Sequence, residues 1–290
     1  MSPSILDKIR GMFGSGSEFK NPRNIIITGV PRSGTTLTCF LLTEIPNAVG
    51  LNEPVKIGRL GGKEDILEGV EQFFNRNRHT LIHEGFALAR ATEEGITDNN
   101  FSKDPADRKT LVRKQKVKID KELQDDFYLC VKHNATFTTL MEDLRKKYPF
   151  YAQVRNPIPV LGSWNSLDLP ASRGEVRIAD KLNPKLYNEL LAIPDVYDKQ
   201  LHILNWYYES YTRLPAENII RYEELVKTNG KALKIIVPAA ADLEYPLESK
   251  NKSKLYDSDI MKRLGEKLLS NTNHACWEFY TPEQVEGMLL

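Results

Sequence analysis

The chain has 290 residues, 41% hydrophobic and 27% charged, which is enough apolar material for one α/β domain with insertions. A formal net charge of +1 excludes a general attraction to nucleic acid, so any positive potential has to be local. Cys39, Cys130 and Cys276 are odd in number and lack C-x-x-C spacing, which argues against a disulfide framework or a zinc site and predicts buried thiols in a reducing compartment.

Ile5, Leu6, Ile9, Met12 and Phe13 are spaced as a short amphipathic helix, and Gly14 to Ser17 form a flexible linker, so residues 1–22 read as a segment ahead of a single domain over 23–290. There is no signal peptide and no run of about 18 apolar residues, which predicts a cytoplasmic protein without a membrane span. Ile25 to Thr36 read as a buried strand, a loop bracketed by Gly29 and Gly34, and the start of a helix carrying Leu37, Phe40, Leu41 and Ile45. Such a loop aims backbone N–H groups and a helix N-terminus at one anion, so it is a phosphate cradle. The lysine of the nucleotide-hydrolase loop G-x4-G-K-[ST] is replaced by Thr35, and the basic residue is Arg32, inside the loop.

A short strand after Asn47 ends in Asn52 and Glu53, which puts a carboxylate at the strand end beside the cradle, where an α/β fold carries its chemistry. Residues 55–125 read as an insertion over the site, with a helix marked by Ile66, Val70 and Phe73 after Gly58, Gly61 and Gly62. His79 and His83 lack a third ligand and read as a structural pair. Arg108 to Lys121 hold seven basic residues, either a solvated basic strand or helix face or a clamp on an anionic nucleotide or substrate. Two apolar strands follow, one ending in Lys132 and His133 and the other in Arg155, with a helix over Phe137 to Tyr148 between them. Cations at successive strand ends imply an anion to meet them. Residues 164–195 read as a second insertion, and a helix from about Tyr197 to Leu214 carries Trp206, Tyr207, Tyr208 and Tyr211. Glu217 to Leu225 read as the last core strand, and a final helix is capped near Asp257.

The loop Pro31, Arg32, Ser33, Gly34, Thr35, Thr36 matches P-[KR]-S-G-T-T and so resembles the 5′-phosphosulfate loop of the sulfotransferases, most of all that of the tyrosylprotein sulfotransferases. A second match is R-[ND]-P-x5-S, met by Arg155 to Ser163. The resemblance implies a soluble, bacterial-type member with a three-layer P-loop-like fold, a central parallel sheet flanked by helices, and mainly helical insertions. It also implies roles. Arg155 and Ser163 would bind a 3′-phosphate, an assignment suited to a planar guanidinium and a hydroxyl donor. Lys132 resembles the lysine of the K-T-H-x-P motif that touches the sulfuryl group, and Tyr222 the adenine-contacting tyrosine of Y-E-[DE]-[LM]. Glu53 matches a glutamate general base. The histidine of K-T-H is replaced by Asn134, and His133 stands one position early, which leaves His133 as the other candidate base. No R-K-G loop closes the nucleotide site, and Lys252 or Lys254 could substitute.

The implied reaction is in-line transfer from 3′-phosphoadenosine 5′-phosphosulfate to a hydroxyl or amine, leaving 3′-phosphoadenosine 5′-phosphate and requiring no metal. A small-molecule acceptor is expected, with peptide tyrosine as the alternative; a P-loop kinase and a silent nucleotide-binding protein are the rival classes.

Overall fold

The computed structural model describes residues 19–55, 61–102, 104 and 108–289. The amphipathic stretch over Ile5 to Phe13, its linker and Gly58 lie outside the described residues. The strands are β1 (Asn24–Gly29), β2 (Ala48–Asn52), β3 (Phe86–Ala91), β4 (Arg113–Lys118), β5 (Tyr128–Lys132), β6 (Phe150–Val154) and β7 (Ile219–Arg221). The main helices are α1 (Thr35–Glu44), α2 (Lys63–Glu84), α3 (Asn134–Thr139), α4 (Pro157–Asn165), α5 (Pro184–Ala192), α6 (Val196–Tyr211), α7 (Tyr222–Lys227) and α8 (Ser258–Leu269).

Five strands form one parallel sheet in the order β2-β5-β1-β6-β7. Its strands are apolar on both faces, as a parallel sheet covered by helices on both sides requires. Along β1 the alternation sorts them: Ile25 and Ile27 pack with Leu41 and Leu42 of α1, Ile45 just beyond it and the segment around Leu233 and Val237. Ile26 faces the opposite layer, built from α2, α4, α6 and α8 through residues such as Phe74, Leu161, Tyr208 and Leu264. The result is a three-layer α/β architecture, as the sequence predicts. No helix among the described residues is long and apolar enough to cross a membrane.

The register delivers the chemistry to one edge. Asn52 and Ile27 both pair with Lys132, and Val154 pairs with Arg221, so β2, β5, β1 and β6 end together and the residues that follow them face one another. This is the carboxyl edge at which open α/β sheets bind ligands.

The 55–125 insertion departs from a helical reading. After α2 the chain forms the antiparallel hairpin β3–β4, in which Ala87, Ala89, Ala91 and Val117 turn inward. The basic run has no single face: Lys121 donates to Thr43 O and Ile45 O and so caps the end of α1, Lys114 donates to Val55 O at 2.6 Å, and four residues of β4 are exposed. The last core strand is shorter than expected, because Tyr222 already opens α7. The helix expected over Phe137 to Tyr148 breaks at Leu140. Asp257 caps α8 as predicted, accepting from the N–H groups of Asp259 and Ile260.

The approach of α1 to the sheet depends on Gly50, where an added Cβ would stand 2.2 Å from the carbonyl oxygen of Cys39. A helix that close leaves no room for a side chain. Gly50→Ala is expected to lower unfolding stability by about 3 kcal/mol through overpacking, read from the urea midpoint; an unchanged midpoint would show that α1 does not sit on β2 as described.

Candidate active site

The loop between β1 and α1 has the strand–turn–helix form its sequence implies. Gly34 takes φ 95°, in the left-handed region, and stands at the start of α1 with no side chain capping the helix. The N–H groups of Thr35, Thr36 and Leu37 lie in the first helical turn and have no intrahelical acceptor. Gly34 cannot carry a side chain, since a Cβ would meet the Tyr222 ring at 2.8 Å. Pro31 turns the loop and accepts from the Trp164 indole at 2.8 Å, which ties it to α4.

Not every loop residue faces the cradle. The Ser33 hydroxyl is fully buried and donates to Gln153 O, while the Gln153 side chain answers with bonds to Ser33 O and Thr38 Oγ1. Ser33 therefore locks the loop onto β6 with its hydroxyl turned inward. Thr35 Oγ1 donates to Asn134 Oδ1 at 3.3 Å, joining the loop to the segment after β5. Thr36 stays partly exposed.

Lys132 and Glu53 form the centre of the edge. The Lys132 ammonium is 2% exposed and donates to Glu53 Oε1 and Asn52 Oδ1, each at 3.1 Å. Glu53 Oε2 takes Arg90 from β3 at 3.2 Å, so the carboxylate is held between two cations. Burial by itself would raise the Glu53 carboxyl, but the charges of Lys132 foremost and of Arg90 outweigh it and hold the group at about 2. The Glu53 backbone takes φ 43°, unusual without a glycine, and its N–H donates to Lys132 O at 2.8 Å. Such a conformation costs on the order of 1 kcal/mol and persists where surrounding bonds over-determine it.

His133 is placed differently. Its ring is buried, packs against Phe137, and accepts the Val55 N–H on Nε2 at 3.2 Å. Burial pushes it down to about 3, so it is neutral, and the lone pair a base would use is occupied.

A second cationic corner follows β6. Arg155, 4% exposed, stacks over the Tyr222 ring at 4.5 Å and donates to Asn251 Oδ1, Arg32 O, Lys250 O and Tyr256 OH. Arg32, at φ 72°, turns out of the loop, donates through Nε to Ser163 Oγ at 3.0 Å and lies over Phe101. Arg32 and Ser163 are thus partners, which the spacing of their motifs does not reveal. Tyr222 is buried between Gly34 and Arg155, its hydroxyl accepting the Lys250 N–H. The tail therefore reaches the site through Lys250, Asn251 and Tyr256, while Lys252 and Lys254 are exposed.

Asn52, Arg90 and Asn251 are site neighbours that sequence reasoning did not assign. Asn52 was visible as a strand-end polar residue; Arg90 and Asn251 carry no motif. His79 and His83 are an exposed pair with ring centroids 4.5 Å apart, and no group of three His, Cys, Asp or Glu side chains suited to a metal occurs among the described residues. All three cysteines are buried free thiols, each pushed up by burial.

No family model matches the chain, and no curated protein matches it. Among solved structures, it is similar to the sulfotransferase domain from the curacin biosynthetic pathway, with 16% identity over 89% of this chain and 83% of that one, TM-score 0.39. It is also similar to the sulfotransferase domain of the Synechococcus PCC 7002 olefin synthase, with 15% identity over 95% and 96%, TM-score 0.36. Sulfotransferase STF9 from Mycobacterium avium aligns with 16% identity over 93% and 72%, TM-score 0.34.

Because the Glu53 carboxyl sits at about 2 instead of 4.5, its stabilisation is complete above about 4.5 and is lost as the pH falls toward 2. Lys132→Met removes the main partner and raises the Glu53 carboxyl. The variant is expected to lose about 3 kcal/mol near neutrality, with the deficit shrinking as acid protonates Glu53. Urea midpoints at pH 7 and pH 4 test this; a deficit independent of pH would mean that Lys132 does not neutralise Glu53.

Proposed function

We propose that the chain is a sulfotransferase that moves the sulfuryl group of 3′-phosphoadenosine 5′-phosphosulfate to a hydroxyl or amine of a small-molecule acceptor. One observation carries this reading: the uncapped start of α1, the Lys132–Glu53 pair and the Arg155–Ser163 corner converge on a single sheet edge. A phosphate loop without the hydrolase lysine, beside a separate arginine corner, suits a nucleotide phosphorylated at both its 5′ and 3′ positions.

When bound, the donor supplies an activated sulfuryl group. The N–H groups of Gly34, Thr35 and Thr36 and the Thr36 hydroxyl would hold its 5′ end, within the frame set by Pro31 and Ser33. Arg155 and Ser163 would hold the 3′-phosphate, with Arg155 exchanging Asn251 or Tyr256 for phosphate oxygens, and the edge of Tyr222 would border the adenine. Lys132 neutralises charge on the sulfuryl oxygens as the bond to the leaving phosphate lengthens.

Glu53 takes the acceptor proton. While Lys132 and Arg90 hold it at about 2 it is a weak base. As Lys132 shifts its hydrogen bond toward the sulfuryl group, Glu53 loses its strongest partner, and its proton affinity rises when the acceptor proton has to leave. His133 has no part in this step, since its Nε2 is already committed to Val55.

Two experiments test the reading. Calorimetry should show adenosine 3′,5′-bisphosphate binding without magnesium and more tightly than ADP; preference for magnesium-ADP would indicate a kinase. Screening of acceptors with labelled donor should then give a turnover that Glu53→Gln reduces by about 100-fold while bisphosphate affinity is kept. Undiminished turnover in that variant would remove Glu53 as the base.

A further inference from the structure

We propose that Arg108, delivered by the 55–125 insertion, is the third guanidinium of the pocket that grips the nucleotide's 3′-phosphate. The inference rests on the donor reading above and adds to it a residue from outside its motifs.

The insertion reaches the donor side of the site through a small ladder. Phe101 bridges Thr110, Ser102 N–H donates to Lys109 O, and Leu111 N–H to Asn100 O. Asn100 accepts from Asn52 at the end of β2, and the Phe101 ring lies 4.9 Å under the Arg32 guanidinium. Arg108 then crosses to the end of α4, where Nη1 donates to Ser166 Oγ. Ser166 lies one turn from Ser163 and donates to Ser163 O at 3.0 Å. Arg32 and Arg108 are therefore held by serines three residues apart, and Arg155 is joined to the same corner through the carbonyl of Arg32.

This corner lacks counter-charge. Among the described residues no carboxylate pairs with Arg32, Arg108 or Arg155, and Glu223 reaches Arg155 only through the Asn251 amide. Arg108 Nε is buried and has no hydrogen-bond partner among the described residues, a loss that is not tolerated without reason for a charged group. Burial draws Arg32 down to about 10; Tyr256 opposes this, and Arg155 and Arg108 reinforce it, so the guanidinium groups repel one another. Three arginines and a serine hydroxyl linked at one corner need acceptor oxygens and negative charge, which a phosphate monoester dianion supplies. A bare staple to Ser166 would account for Nη1 but not for the stranded Nε. The tail lysines do not fill the role: Lys252 and Lys254 are exposed, and the tail presents a carbonyl and an amide to Arg155 instead of a cation.

The test titrates the full chain, Arg108→Ala and Arg108→Lys with adenosine 3′,5′-bisphosphate and with adenosine 5′-monophosphate, which lacks the 3′-phosphate. Arg108→Ala is expected to weaken the bisphosphate by about 10-fold or more while leaving the monophosphate unchanged, and Arg108→Lys to lose part of that affinity because the bidentate fork is gone. Equal loss for both nucleotides, or none, would overturn the assignment of Arg108. If the unmodified chain itself does not prefer the bisphosphate, the donor reading fails first and takes this inference with it. Should the alanine variant misfold, the lysine variant carries the comparison alone, and an affinity equal to that of the unmodified chain in both ligands would count against the proposal.

Discussion

A lysine ammonium at the end of a strand buried on both faces is the constraint from which the centre of this site follows. Lys132 is in β5, between β1 and β2, with water nearly excluded. A charge so placed has to find acceptors within the fold. Asn52 and Glu53 provide them from the neighbouring strand end, and Glu53 can do so only by leaving the strand in a left-handed turn. The carboxylate then needs more positive charge than one lysine on its outer oxygen, and the β3–β4 hairpin brings Arg90 to it. Backbone strain, an unusually acidic glutamate and the docking of an insertion thus share one electrostatic origin.

The other side of the edge obeys the opposite logic. Around Ser163 cations gather without carboxylates among the described residues, and their partners there are carbonyls, hydroxyls and amides, which satisfy donors but do not cancel charge. The two halves of the edge therefore differ in what they can accept. The Lys132–Glu53 half sets a carboxylate against its cations and is suited to moving a proton and steadying a transferred group. The arginine half is left positive and suited to holding a charged group in place. Gly34 stands between them, at the start of α1, and the Tyr222 ring packed on it braces Arg155 from beneath.

The sequence by itself determined the layers and the cradle. Short apolar runs bounded by turn residues mark buried strands, and glycine brackets before a helical stripe mark a tight loop, because both patterns are written in residues adjacent along the chain; the parallel, three-layer arrangement followed from the resemblance of the loop motifs. It also placed Lys132, Glu53 and Arg155 at strand ends, since strand boundaries follow from the same local pattern. What it could not determine were relations between segments far apart in the chain. Arg32 bonding Ser163, Arg90 clamping Glu53, Asn251 meeting Arg155 and Val55 occupying His133 each join residues that no local periodicity links. Whether Arg113–Lys118 is strand or helix was left open for a related reason, as the segment has almost no apolar stripe and is a strand by pairing with β3. Side-chain direction was equally hidden: Ser33 lies in the loop motif yet turns inward to Gln153, and Lys252 and Lys254 lie in the tail yet point to solvent, because burial is set by which surfaces meet and only the folded chain decides that.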